Sequence, residues 1–373
     1  MNVLGDDRED IAFTAVELSV PWLNVYSGCV WMRDGRVALV PRNSRAVGIF
    51  DPATNEHTTV ARGPAEYDYS GGVLLRDGRV LFVPGYKTKI GIFDPTTNVC
   101  STIAEIPNNF AYYPHYQGGV LLPDGRVVFV PHSATKIGIF NPATNEYSEI
   151  AGAPGENAFH GGVLLRDGRV LFVPYATKRI GMFNPTTNKY SETADLIERY
   201  SYRGGVLMRD GRVAFVPHIA RTIGIFDPTV NAYSTVANIG FGNIPYPVSY
   251  YAGGWLLPDG RVAFFPYSAP EIGIFDPATN AFKTIQSGSS ALAYSGTVRP
   301  SDDCVFFIPY NTTYNTTRIG ILSLSDKKAR ARALRRTEAM KEELIAAAWH
   351  PKRMSEWCLD TNERRELAEI WRC

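Results

Sequence analysis

The sequence predicts an all-β fold: a seven-bladed β-propeller closed by an N-terminal strand and followed by a short C-terminal α-helical tail. Three observations predict it. A Gly-Gly-Val-Leu-Leu-Pro-Asp-Gly-Arg-Val block at 118–127 has counterparts starting at Gly71, Gly161, Gly204 and Gly253, with weaker copies at Gly28 and Gly296. An Ile-Gly-Ile-Phe-Asp/Asn-Pro block follows each copy. Its Ile/Val-Gly pairs begin at Val47, Ile90, Ile137, Ile180, Ile223, Ile272 and Ile319, at spacings of 43, 47, 43, 43, 49 and 47 residues. Tyr (20) and Phe (19) are abundant beside Val, Ile and Thr, a composition that favours strands. Repeats of this length read as propeller blades, because radial packing lets each sheet bury both faces against its neighbours.

Within a repeat, Gly-Gly-Val-Leu-Leu reads as strand A, and the following Asp-Gly as a tight turn in which Gly supplies a positive φ. Arg-Val-x-Phe-Val-Pro is strand B, ended by a proline that cannot donate to a ladder. Ile-Gly-Ile-Phe is strand C, and Asp-Pro-x-Thr-Asn is a turn with Pro preset near −65°. The stretch after it, such as Glu146 to Ile150, alternates as a half-buried outer strand D does. The last repeat lacks a strand D, and residues 11–18 precede the first strand A as a strand D would; they are expected to complete blade seven. Domain boundaries follow: an acidic lead over 1–10, a propeller over 11–325 and a helical tail over 326–373.

The tail is rich in Ala, Arg, Glu and Leu. Lys327 to Arg336 carries six cations, which fits nucleic acid or an acidic partner as well as an exposed helix. Trp349, Trp357 and Trp371, half of the chain's tryptophans, mark the tail as a docking element. Elsewhere the chain excludes several classes. The formal net charge is +1, and no apolar run approaches the ~18 residues a bilayer span requires. Five cysteines without CxxC spacing argue against a disulfide framework or a structural zinc site and for a reducing, intracellular location. The N-terminus, with Asp6, Asp7, Glu9 and Asp10, is unlike a signal peptide.

The runs Phe93-Asp94-Pro95 with Asn98, and Phe275-Asp276-Pro277 with Asn280 and Phe282, resemble the kelch-type, galactose-oxidase-like repeat family. That resemblance implies a propeller. It departs from the family in placing the diglycine on strand A, and in having His57, Cys100, Tyr147, Tyr190, Tyr233 and Phe282 where the family's strand D carries Trp. The family's copper-ligand set has no match here, so no cofactor is implied. Met340 to Trp357 is similar to a short segment found in proteins of large DNA viruses. It implies a viral protein, in the host cytoplasm or the virion.

Blade topology places the A–B and C–D turns on one face and the D–A and B–C loops on the other. Arg36, Arg79, Arg126, Arg169, Arg212 and Arg261 follow uniform Asp-Gly turns and read as ion-paired turn residues. On the other face, Tyr26, Tyr69, Tyr116, Phe159, Tyr202, Tyr251 and Tyr294 stand two residues before each strand-A glycine. Two roles are open for them: a ligand-stacking ring, or packing within the blades. Arg45, Lys89, Lys136, Arg179, Arg221 and Arg318 add a ring of cations that would favour an acidic peptide or an anionic glycan. His115, His132, His160 and His218 map to the same face but lack metal-ligand spacing, so no metal is expected.

Without a nucleophile motif or a phosphate-cradling loop, the expectation is a non-enzymatic protein-interaction or scaffold protein with a basic, Tyr-rich face, a viral structural or accessory component. The alternatives are a lectin-like attachment protein, a substrate adaptor recruiting through its tail, and a divergent enzyme. A protein partner is expected, nucleic acid through 327–336 is not favoured, and no membrane span is expected. Deleting residues 1–20 should sharply lower the melting temperature, because an unpaired outer edge would remain; an unchanged melting curve would refute closure by that segment.

Overall fold

The structure, a computed structural model, describes residues 11–17, 26–42, 44, 46–62, 68–86, 88–107, 114–193, 199–239, 249–286, 294–301, 304–309 and 318–324. The first antiparallel sheet comprises β2 (Tyr26–Trp31), β3 (Val37–Pro41), β4 (Ala46–Asp51) and β5 (Glu56–Arg62), in that order. The same A-B-C-D order recurs from β6 (Tyr69–Leu74) to β9 (Val99–Glu105), and from β10 (Tyr116–Leu121) to β13 (Glu146–Ala151). It continues from β14 (Phe159–Leu164) to β17 (Lys189–Glu192), from β18 (Tyr202–Leu207) to β21 (Ala232–Asn238), and from β22 (Tyr251–Leu256) to β25 (Ala281–Gln286). Successive A strands touch one another along the axis, as the approach of Gly71 to the Gly118 backbone requires.

The expected fold class is corrected in two respects. The repeats whose side chains are described make six blades, not seven. The remaining four-stranded sheet is described by its backbone pairing: β26 (Tyr294–Ser301), β27 (Cys304–Pro309) and β28 (Arg318–Leu324), with β1 (Ile11–Glu17) antiparallel to β28 from Ile11↔Leu324 to Glu17↔Arg318. This repeat departs from the others because Asp302-Asp303-Cys304 replaces the Asp-Gly-Arg turn. Secondly, no helix occurs among the described residues, and the expected helical tail with Trp349, Trp357 and Trp371 lies outside them.

The repeat sequence follows from what each strand must bury. Strand B is sandwiched on both sides, so Val80–Pro84 and its counterparts are buried at every position. Strand D is outermost, and Val99–Glu105 alternates between exposed and half-buried. The core lies between blades: Val73, Leu81, Val83 and Ile92 of one pack against Tyr116, Val127 and Phe129 of the next. Burying such side chains contributes roughly 1.5–3 kcal/mol each.

One contact organises each blade. The strand-A aromatic lies across strand B and over the strand-C glycine, and in the first, third and fifth blades its hydroxyl reaches strand D. Tyr116 Oη meets Tyr147 Oη at 2.6 Å, Tyr202 Oη meets Tyr233 Oη at 2.5 Å, and Tyr26 Oη lies 3.2 Å from His57 Nε2. The glycine is there for space: a Cβ on Gly91 would sit 2.5 Å from Tyr69 Oη and 2.7 Å from Cζ.

On the turn face, Asp34, Asp77, Asp124, Asp167, Asp210 and Asp259 each pair with the arginine two residues on, at 2.6–2.7 Å. This is the role read from the repeat. Burial pushes the Asp34, Asp77 and Asp124 carboxyls up, but bonds from their arginines outweigh it and leave them below the usual carboxylate range. The same arginines stitch neighbouring blades: Arg126 Nη2 donates to the Pro185 carbonyl at 3.3 Å and Arg169 Nη2 to that of Pro228 at 3.2 Å. The turns after strand C close on Asn55, Asn98, Asn145, Asn188, Asn231 and Asn280, all left-handed at φ 53–58°. Asn tolerates that conformation better than most residues, which explains its recurrence.

Gly91→Ala should destabilise the protein by about 1–3 kcal/mol, the usual range for overpacking a filled core. Urea denaturation measures it; stability equal to wild type would disprove the steric role of the strand-C glycine.

Candidate functional site

The strand-A aromatic fixes the residue beside it. Tyr116 pairs with Pro131 and Gly119 with Phe129, so Gln117 and Gly118 together oppose Val130 alone. Gly118 adopts φ +88° to make this bulge, a conformation open to glycine at little cost. The first five blades share the irregularity, and the sixth bulges between Tyr251 and Gly253. Ser27, Ser70, Gln117, His160, Arg203 and Ala252 occupy the bulge position, and all line one cavity of 570 Å³.

A second set completes the wall. The residue after each strand-B proline is Arg42, His132, Tyr175, His218 or Tyr267 in the first, third, fourth, fifth and sixth blades, and each lines the same cavity. Tyr86 and Tyr200 stand at its edge, 37% and 41% exposed. No carboxylate lines the cavity among the described residues, whereas two guanidiniums do.

The histidines are held in defined tautomers. His132 Nδ1 lies 2.8 Å from the Phe159 carbonyl and His218 Nδ1 lies 3.2 Å from that of Tyr251. A carbonyl only accepts, so each Nδ1 carries the proton, and Nε2 of the neutral ring is a lone-pair nitrogen. Arg203 Nε donates to His160 Nε2 at 3.0 Å, so that ring is neutral as well. Burial, and then the Arg203 charge, push His160 well below its ordinary 6.5. His132 falls to about 4 through burial, with Arg203 adding to it and the Phe159 carbonyl opposing. His218 also falls to about 4, through burial and Arg203. The rings form a continuous wall: His132–Tyr175 at 5.7 Å, Tyr175–His218 at 5.6 Å and His218–Tyr267 at 6.0 Å between centroids. Arg203 Cζ lies 4.9 Å above Tyr267, and Arg42 Cζ 5.9 Å above Tyr86, within cation–π range. Asn157, in a left-handed turn, accepts from Ser133 Oγ at 2.8 Å and also borders the cavity.

Little of the expected binding face coincides with this cavity. Tyr26, Tyr69, Tyr116, Tyr202 and Tyr251 are 0–3% exposed and pack inside the blades, so the packing role is the one observed. The side chain of Tyr294 lies outside the described ones. The expected cations stand at the outer start of strand C instead of over the cavity. Lys136 pairs with Glu149 at 2.6 Å and Arg179 with Glu192 at 3.3 Å, while Lys89 and Arg221 are exposed. Arg45 and the Arg318 side chain lie outside the described set. Of the four histidines assigned to this face, His132, His160 and His218 line the cavity and His115 is buried beside it. No group of three or more metal-ligating side chains occurs among the described residues. Nor is any described helix long and apolar enough to cross a membrane. Sequence reasoning missed Arg42, Arg203, Tyr175 and Tyr267. Their signal was variability: they occupy the positions beside the strand-A aromatic and after the strand-B proline, which change from blade to blade while their neighbours do not.

The fold and cavity define a β-propeller with a polar, histidine-lined axial pocket. No protein-family model and no curated protein sequence matches the chain. Among solved structures, it is similar to virginiamycin B lyase from Staphylococcus aureus, with TM-score 0.71 and 16% identity, covering 84% of this chain and 99% of that one. A streptogramin B lyase matches with TM-score 0.70 and 18% identity over 84% of this chain and 98% of the other. A fungal alcohol oxidase of the AA5 family, in complex with copper, matches at TM-score 0.61 and 13% identity, over 83% and 76%. At these identities the likeness is one of fold.

These neighbours correct the expected function. Two of the similar propellers are lyases, and nothing in these comparisons supports a scaffold, a lectin-like attachment protein or a tail-recruiting adaptor. The kelch and viral resemblances likewise find no support. Whether this chain is itself an enzyme is a matter for the site.

The buried neutral histidines make stability pH-dependent. Their folded pKa lies below the unfolded value of 6.5, so the unfolded chain takes up protons first as pH falls. The stability they contribute is complete above about 6.5 and is lost progressively down to about 4. A His132→Phe, His218→Phe double variant should lose less stability than wild type between those limits in chemical denaturation; parallel curves would refute the linkage.

Proposed function

We propose that the protein is an enzyme acting on a small organic substrate bound in the axial cavity, with His132 or His218 as proton acceptor and Arg203 as stabiliser of developing negative charge. The observation that carries this reading is the placement of Arg203 against His160, in one cavity with two imidazoles anchored through Nδ1. Anchoring at Nδ1 fixes the ring and makes Nε2 the basic atom, as general-base catalysis requires.

The chemistry that fits is removal of a proton from carbon next to a carbonyl, followed by elimination. The C–H electron pair forms the new double bond, the leaving group departs with its own pair, and the imidazole keeps the proton. Negative charge developing on the carbonyl oxygen is stabilised by a fixed guanidinium in a partly dehydrated pocket. A histidine of low proton affinity suits this step only if that affinity rises as the reaction proceeds. An anionic oxygen beside Arg203 has that effect, since it offsets the cation that depresses the rings.

The fold similarity to lyases supports the reading. One S. aureus neighbour, bound to quinupristin, was made catalytically inactive by replacing a histidine with alanine (TM-score 0.68, 16% identity). The test follows two readouts, conversion of quinupristin by liquid chromatography and deuterium exchange at carbon next to carbonyls in a panel of aromatic esters. Turnover should occur and fall by about 100-fold or more in His132→Ala or His218→Ala. Absence of both reactions, or full activity after loss of both histidines, would overturn it.

A further inference from the structure

We infer that the axial cavity selects a planar aromatic compound bearing a carboxylate, the carboxylate facing Arg203 and the ring seated against the tyrosines at the rim. This deepens the reading above by naming the ligand class, and it rests on taking that cavity as the site.

Charge gives the first half. The described residues lining the cavity include Arg42 and Arg203 and no carboxylate. The three lining imidazoles add no charge of their own at neutral pH: His160 Nε2 accepts from Arg203, and burial holds His132 and His218 neutral. The Arg203 charge is felt at His132, His160 and His218 alike, so it sets the potential across the wall. A cavity of this sign, partly closed to water, favours an anion, and a guanidinium matches the flat geometry of a carboxylate.

Exposed aromatic surface gives the second half. Four large hydrophobic side chains are exposed among the described residues: Tyr86, Val99, Tyr200 and Val230. Val99 opens an outer strand and Val230 sits in a turn, whereas both tyrosines border the cavity. Tyr200 stands edge-on to Tyr175 at 5.2 Å and 85°, a T-shaped pair that leaves Tyr200 41% exposed at the mouth. Tyr86, also bordering the cavity, lies beneath Arg42. A cavity of 570 Å³ is within the range for small-molecule sites. An aromatic ring between such faces gains offset or edge-to-face contacts that an aliphatic ring of the same size does not.

Calorimetry with three probes tests this: 3-phenylpropanoate, its uncharged amide 3-phenylpropanamide, and 3-cyclohexylpropanoate. At neutral pH the aromatic acid should bind about 10-fold or more tightly than the amide. Arg203→Gln should abolish that preference, and Tyr200→Ala should weaken the aromatic acid more than the cyclohexyl acid. Binding of the acid should also take up protons, seen as a heat that varies with the ionisation enthalpy of the buffer. Equal affinity for acid and amide, or no saturable binding of any probe, would overturn the inference, and both are read on the wild-type protein whatever the variants do. The two readings fail separately. Turnover that depends on His132 or His218 without a preference for the acid sinks only the ligand class. A clear preference for the acid with no turnover on any substrate sinks only the catalytic reading.

Discussion

The blade depends on one steric arrangement, an aromatic ring from the innermost strand lying over a glycine two strands away. Tyr69 over Gly91 and Tyr116 beside Gly138 leave no room for a methyl group. In the first, third and fifth blades the hydroxyl also meets a strand-D partner, so one side chain ties the inner edge of the sheet to the outer. Because the ring is drawn outward, the chain following it must recover its register, and it does so by a bulge, made at a positive-φ glycine in the second to fifth blades. The polar residue caught in that bulge faces the axis. Core packing and the axial cavity are therefore consequences of the same contact.

This arrangement separates what must stay constant from what can vary. The aromatic, the glycines and the Asp-Arg turn pairs hold the ring together, and each blade repeats them. The bulge position and the residue after the strand-B proline are not fixed by the repeat, and they differ in almost every blade. Six bulge positions hold Ser, Ser, Gln, His, Arg and Ala. Polar chemistry is concentrated in the third to sixth blades, where His132, His160, Tyr175, Arg203, His218 and Tyr267 meet, while the first two contribute small side chains beside Arg42 and Tyr86. The cavity is thus asymmetric although the scaffold that carries it is close to symmetric.

That separation explains what could be read from the sequence. Strand order, turn types and the Asp-Arg pairs were legible because local chemistry dictates them and the repeat displays it several times over. The tyrosine ring was visible for the same reason, and that uniformity was the sign that it packs: a residue required in every blade serves the blade. The expected cations were sought at the start of strand C, where Lys136 and Arg179 pair with strand-D glutamates on the outer rim. Arg203 was hidden inside a strand-A motif, since nothing local shows that a bulge turns it towards the axis. The cavity forms only when distant repeats converge, as His132 and His160 of successive blades illustrate.

Electrostatics ties the site back to the scaffold. Burying His132, His160 and His218 next to Arg203 is tolerable because the rings stay neutral, and they stay neutral because burial and the Arg203 charge lower their proton affinity, against the carbonyls that accept from two Nδ1 positions. Phe159 and Tyr251, the residues whose carbonyls anchor His132 and His218, are also strand-A aromatics of their blades. The backbone that locks each blade therefore sets the tautomer of a histidine from the blade before it. A cation held among neutral imidazoles lowers the proton affinity of the rings around it. An anion entering the cavity lowers the cost of protonating any one ring, so charge recognition and proton transfer are linked by the same few ångströms of packing.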